Sequence, residues 1–126
     1  MSDSFEIVRR EQCARSRQHR GVLTQVIYER DGLAILRTEM ASGSDCDSQQ
    51  FGDSSAAHYV IDGTPVFRTS HEPADLMPGD SIVFSGGSSY AIANRAPAHA
   101  VFLSVLFKPC ATGTQSTQAA VKEISE

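Results

Sequence analysis

The run PGDSIVFSGGSSYAIAN, from Pro78 to Asn94, constrains this chain more than any other stretch, because its punctuation spells out a turn, a strand, a bend and a second strand. Pro-Gly-Asp at 78–80 is a turn signal, since proline fixes φ and glycine supplies φ > 0. Ser81 to Phe84 then reads as a short β-branched and aromatic strand. Ser85 to Ser89 is a glycine-rich bend where backbone can approach another group closely. From Tyr90 the alternation resumes, and a strand period of two puts Tyr90, Ile92 and Asn94 on one face.

Turns recur at short intervals elsewhere. Gly21 to Arg30 reads as a strand, Asp31-Gly32 as a hairpin turn and Leu33 to Met40 as the partner strand. Ala41 to Gly52, rich in Ser, Asp and Gln, reads as a loop. Tyr59 to Phe67 reads as a hairpin about Asp62-Gly63, Thr69 to Asp75 as a connection, and Ala100 to Phe107 as a long apolar final strand. Thr112 to Glu126 is polar and free of aromatics, and reads as a tail or a short terminal helix from Gln118 onward. Strands at this spacing with scarcely any helix predict an all-β barrel or sandwich.

A chain of 126 residues has mass for one core and no room for a second. The net charge of −4 argues against a nucleic-acid partner, which needs clustered Lys and Arg. Arg9, Arg10, Arg15, Arg17 and Arg20 do make the N-terminal region basic, but Glu6 and Glu11 interrupt it. It reads as a solvated arm or an intersubunit contact. No stretch approaches a signal peptide or a membrane span, so no membrane partner and a cytoplasmic location are expected. Cys13, Cys46 and Cys110 are widely spaced and form no C-x-x-C pair, which suggests free thiols.

The stretch from Pro78 to Asn94 resembles the second conserved motif of the cupin family, whose pattern is G, five residues, P-x-G, two residues, H, three residues, N. On that pattern Gly79 takes the first glycine, Ser85 the proline, Gly87 the second glycine, Tyr90 the histidine and Asn94 the asparagine. The family's first motif, G, five residues, H-x-H, three or four residues, E, six residues, G, is matched at its ends by Gly43 and Gly63. Between them Gln49 and Phe51 fall on the histidines and Ala56 on the glutamate. The resemblance spans Gly43 to Phe107, about half the chain. It implies a double-stranded β-helix, the jelly-roll barrel, over residues 21–111, with an N-terminal arm at 1–20 and a polar tail at 112–126. Members commonly pair through outer strand faces. Here Ala56, His58 and Val60 would face inward and leave Tyr59 and Ile61 outward, so a homodimer is expected.

The family's metal commonly rests on three imidazoles and a carboxylate, and those positions are Gln49, Phe51, Ala56 and Tyr90. Phe and Ala cannot ligate a cation and Gln is a weak neutral donor, so no metal and no cofactor is expected. The polar residues expected inside the barrel become the site candidates: His58 and Tyr90 as catalytic base and acid, with Gln49, Phe51 and Asn94 as substrate-binding residues. Some metal-free proteins of the wider fold work with histidine bases, some adding a tyrosine acid. An isomerase, cyclase or dehydratase acting on a small organic molecule is one expectation; a noncatalytic small-molecule-binding or accessory cupin is another; a dioxygenase with displaced ligands is the third. His58 could equally be a core histidine satisfied by a backbone carbonyl or by Tyr90, and Asn94 a structural turn residue. The chain shows no helix-turn-helix pattern, which argues against a complete transcription regulator.

Overall fold

The computed structural model describes residues 4–13 and 15–108. The expectations for Cys110, for the last residues of the 21–111 barrel and for the 112–126 tail lie outside the described residues. The described residues form ten strands: β1 Arg15–His19, β2 Val22–Arg30, β3 Leu33–Met40, β4 Asp45–Asp47, β5 Ser55–Asp62, β6 Val66–Arg68, β7 Pro73–Asp75, β8 Ser81–Phe84, β9 Ala91–Ala93 and β10 Ala100–Phe107. They make a six-stranded sheet in the order β1-β2-β3-β10-β5-β8 and a four-stranded sheet in the order β4-β9-β6-β7. All strand pairs are antiparallel. Among the described residues no helix is long and apolar enough to cross a membrane.

The core lies between the two sheets and is built by alternation. β2 contributes Val22, Thr24 and Val26, β3 Leu36, Thr38 and Met40, β10 Ala100, Phe102 and Ser104, and β5 Ala56, His58 and Val60, all buried. Phe67 of β6 and Ile92 of β9 meet them from the small sheet. Asp31-Gly32 turns β2 into β3 with positive φ at both residues, as a type I′ hairpin requires. A register shift between Val26 and Tyr28 adds one residue to β2, a bulge that bends the strand. Tyr59 and Ile61 point outward and are exposed, as is Val83 beside them on β8.

Four expectations change: the expected connection from Thr69 to Asp75 ends in strand β7, which pairs with β6 through backbone, and three others follow. Residues 15–19 of the expected arm form a sheet strand, β1, because the Arg20-Gly21 turn folds the chain back onto β2 and backbone pairing needs no apolar alternation; all five of its residues are exposed. The expected loop from Ala41 to Gly52 contains β4 and a short 3-10 helix, Ser48–Phe51, since β4 pairs with β9 through backbone although only Cys46 turns inward. The segment Tyr59 to Phe67 is no hairpin, because β5 and β6 belong to different sheets. At that corner Gly63 has φ 79, and a Cβ there would lie 2.5 Å from the His99 carbonyl oxygen. Close backbone approach is also found at Gly86 in the predicted bend, where a Cβ would come within 2.7 Å of the Asp53 carbonyl oxygen.

Gly63→Ala combines left-handed strain with a backbone clash, so it is expected to cost on the order of 2–3 kcal/mol. Urea denaturation checks this; a loss below about 0.5 kcal/mol, the scale of an ordinary surface substitution, would mean that the corner can open without penalty.

Candidate functional site

His58 sits in the middle of β5 and is wholly buried, while its neighbour Tyr59 is 49% exposed, so the strand register places the imidazole in the barrel. Its Nδ1 is 2.7 Å from the Ser104 hydroxyl on the adjacent strand β10. Its Nε2 is 2.8 Å from the Tyr90 hydroxyl, which reaches across from the small-sheet side. A neutral imidazole has one donor and one acceptor nitrogen, and each hydroxyl can take either role, so the ring is fully satisfied without a further partner. Tyr90 and His58 therefore face each other across the barrel, His58 from β5 of the large sheet and Tyr90 from the residue that precedes β9 of the small one.

Aromatic rings enclose the pair. Phe51, Phe67 and Phe102 stand with ring centres 4.9, 5.3 and 5.6 Å from His58. Phe84 stacks on Tyr90 at 3.7 Å with the rings 7° from parallel. In this setting burial lowers the imidazole pKa to about 4. Burial likewise pushes the Tyr90 phenol well above its ordinary value. The largest cause of both shifts is desolvation, since the charged form would lose water and gain no counter-charge, and for Tyr90 the charge of nearby Cys46 adds to it. A base held near 4 and a phenol held above 10 suit hydrogen bonding better than proton transfer at neutral pH.

The other candidates separate. Gln49, expected inward, is exposed, because the chain at 48–51 is a 3-10 helix and not a strand. Ser48 is the residue that turns in; its hydroxyl accepts from the Tyr90 N–H at 3.2 Å, and its own N–H donates to the Tyr90 carbonyl at 2.8 Å. Phe51 is buried and packs on His58. Asn94 is buried but does not converge on His58: its amide donates to the carbonyls of Met40 at 3.0 Å and Ala98 at 2.8 Å, and its oxygen accepts from the Ala96 N–H. Every strong polar capacity of Asn94 is spent on holding the loop after β9 to the end of β3. Sequence reasoning missed Ser104, although a lone hydroxyl in the apolar strand AVFLSVLF was the available signal.

A cupin metal does not fit these residues. Three of the family's ligand positions, Phe51, Ala56 and Tyr90, offer carbon or a phenol, and both nitrogens of His58 are already bonded. Among the described residues no three His, Cys, Asp or Glu side chains come together as a cation site would need.

Open space lies along the seam between the sheets. One cleft of about 690 Å³ has inward residues of the large sheet for a wall, Val26, Ala34, Leu36 and Leu106, with Phe51 beside them and Arg15, Arg17 and Lys108 at its rim. A second, of about 620 Å³, runs between β1 and the strands β4, β9 and β6, and Gln49 lies on its border. A hydrogen bond of 2.9 Å from the Gln50 amide to the Thr24 hydroxyl crosses the seam at residues common to both. Neither cleft is lined by His58 or Tyr90. Phe51, which packs on His58 and lines the first cleft, is the link between core and seam.

No protein-family model matches this sequence. No curated protein matches it either. Solved structures do. An RmlC-like cupin from Shewanella frigidimarina aligns over 88% of this chain and 96% of its own, at 15% identity and a TM-score of 0.67. KdgF from a Halomonas species aligns over 82% and 96%, at 13% identity and a TM-score of 0.66. The Cupin_2 domain of an XRE-family transcriptional regulator from Enterobacter cloacae aligns over 71% and 99%, at 19% identity and a TM-score of 0.64.

The lowered pKa of His58 has a signed consequence for stability. Above the unfolded value of 6.5 both states are neutral and the group contributes no pH dependence. As pH falls from 6.5 toward 4 the unfolded chain takes up the proton first, so stability is lost, and the loss levels off below the folded value. At about 1.4 kcal/mol per pH unit the total is about 3 kcal/mol. Denaturation curves across this range are expected to show that slope in the wild type and a shallower one in His58→Asn. Equal slopes in the two proteins would rule out a buried neutral His58.

Proposed function

We propose that this chain, whose fold is that of the cupins, is a metal-independent, noncatalytic binding module that takes a small organic anion with an apolar body in the seam of its barrel. The observation that carries the reading is the composition of the larger cleft. Its wall is the core side of the sheet, Val26, Leu36 and Leu106, and Phe51 supplies an aromatic face. Of its charged lining, Arg15 and Glu29 pair with each other, and Arg17 and Lys108, which join no ion pair among the described residues, outnumber the remaining carboxylate, Asp53. An apolar concavity with a few placed polar groups is the usual form of a small-molecule site.

The acid–base reading of His58 and Tyr90 draws less support. Proton transfer to a substrate needs the reacting atom within hydrogen-bond reach of each group. The two groups instead bond each other at 2.8 Å inside an aromatic shell, and Phe51 lies between His58 and the cleft. The direct bond supports a structural role for the pair, and the carbon at the family's ligand positions supports binding without a metal.

The experiment uses 8-anilinonaphthalene-1-sulfonate, an apolar body with one anionic group, and follows its fluorescence while thermal melting confirms a cooperative fold. Saturable binding of one probe per chain is expected. Ala34→Phe should fill the cleft and weaken binding by about tenfold or more, corresponding to ~1.4 kcal/mol. Tyr90→Phe should cost roughly 1 kcal/mol of stability and leave binding unchanged, as for a lost structural hydrogen bond. Binding that ignores Ala34→Phe, or that disappears in Tyr90→Phe, would move the ligand out of this cleft.

A further inference from the structure

Edge strand β1 carries a charge pattern that the core does not explain. In the β1–β2 ladder Arg17 lies opposite Thr24 and His19 opposite Val22, and residues opposed across a ladder share a face. Thr24 and Val22 face the core. Arg17 and His19 therefore extend the core-facing row past the edge of the barrel, where the second cleft separates them from the small sheet. Arg68 at the end of β6 and Arg95 beyond β9 approach that cleft from the other side. Arg20 lines it from the β1–β2 turn, at φ 51, in the left-handed region where Asn or Gly is the usual choice.

None of Arg17, Arg20, Arg68 and Arg95 joins an ion pair among the described residues. Two carboxylates border the cleft, Asp45 and Asp47, and Asp47 already accepts the Gln49 N–H at 3.0 Å. Four guanidinium groups against two carboxylates leave a local excess of +2, in a chain whose net charge is −4. Such a concentration of one sign in a cleft focuses the field there and favours a counter-ion of opposite charge. Guanidinium groups match planar or tetrahedral oxyanions with paired N–H donors. On the small sheet, β9 contributes Ala91 and Ala93 to the border, and their short side chains leave room beside Arg68.

We propose that this second cleft is a binding site for a small dianion, a phosphate monoester or a dicarboxylate, held by Arg68 and Arg95 on the small sheet and by Arg17 and Arg20 on the β1 hairpin. It stands apart from the apolar cleft assigned to the organic ligand, since the Gln50–Thr24 bond crosses between them and the arginines at 20, 68 and 95 line only this one.

The test is a titration of the full chain at low salt with inorganic phosphate and, separately, with malonate, followed by amide chemical shifts of uniformly labelled protein. Saturable shifts centred on Arg68, Ala91 and Ala93 are expected. The double substitution Arg68→Gln, Arg95→Gln should weaken the binding by about tenfold or more, as loss of charge-assisted pairs does. Both side chains are exposed, so the variant should fold. Arg30→Gln, whose charge pairs with Glu6 and Asp31, should leave it unchanged. Saturation by phosphate alone assigns a phosphate ester, by malonate alone a dicarboxylate, and by both a dianion site without preference. Saturation by neither, or equal affinity in the double variant, overturns the proposal. Because Ala34 does not line this cleft, Ala34→Phe should leave phosphate binding intact, so failure of one site is distinguishable from failure of the other.

Discussion

The arrangement on which the rest of the structure depends is a histidine buried between two sheets with a hydroxyl on each nitrogen. A polar ring in a hydrocarbon interior is tolerable only if its donor and acceptor are both used. Ser104 comes from the large sheet beside His58, and Tyr90 from the opposite side, so the ring ties the two walls of the barrel together. Leaving either nitrogen unpaired would cost about 1–3 kcal/mol of desolvation that nothing recovers. That requirement fixes the register of β5 against β10, since a slip of one residue would bring Tyr59 inside and send His58 to the surface. It also positions the glycine-rich bend that delivers Tyr90, whose backbone is pinned in turn to Ser48.

With the centre closed in this way, function moves outward. In the cupin pattern the ligand-bearing positions point into the barrel, and three of the four here hold Phe51, Ala56 and Tyr90, all buried, with Phe51 and Tyr90 packed on His58. The barrel interior has become core. The opening that remains is the seam where β1 and β2 face the Ser48–Phe51 turn and the small sheet. There the inward row changes character along the ladder, from Val26, Thr24 and Val22 on β2 to Arg15, Arg17 and His19 on β1. The apolar floor therefore belongs to β2 and its neighbours and the cationic overhang to the edge strand β1, and the Gln50–Thr24 bond divides the space beneath it.

Much of this was legible in the sequence. The hairpin about Asp31-Gly32, the strand Ser81–Phe84, the final strand Ala100–Phe107 and the inward register of His58, Tyr90 and Asn94 follow from turn chemistry and a period of two. The cupin fold followed from glycine spacing. What was not legible depended on tertiary partners. β1 has no apolar alternation, so only its pairing with β2 makes it a strand. Gln49 faces solvent because the chain around it coils into a 3-10 helix, which a strand period cannot foresee. The crossing at Gly63 looked like a hairpin because Asp-Gly marks a turn without saying which sheet receives the next strand. Asn94 was rightly placed inside, but the carbonyls it bonds, those of Met40 and Ala98, are set by packing and not by local sequence.

His58 is held as a neutral, fully bonded part of the core. The most direct measurement is a pH titration of its imidazole nitrogen resonances in the intact protein. One ring nitrogen should stay protonated and the other bare, without change, until the pH approaches about 4. A midpoint near the ordinary value of 6.5, with the bare nitrogen taking up its proton there, would contradict the account and return His58 to the reach of solvent and substrate.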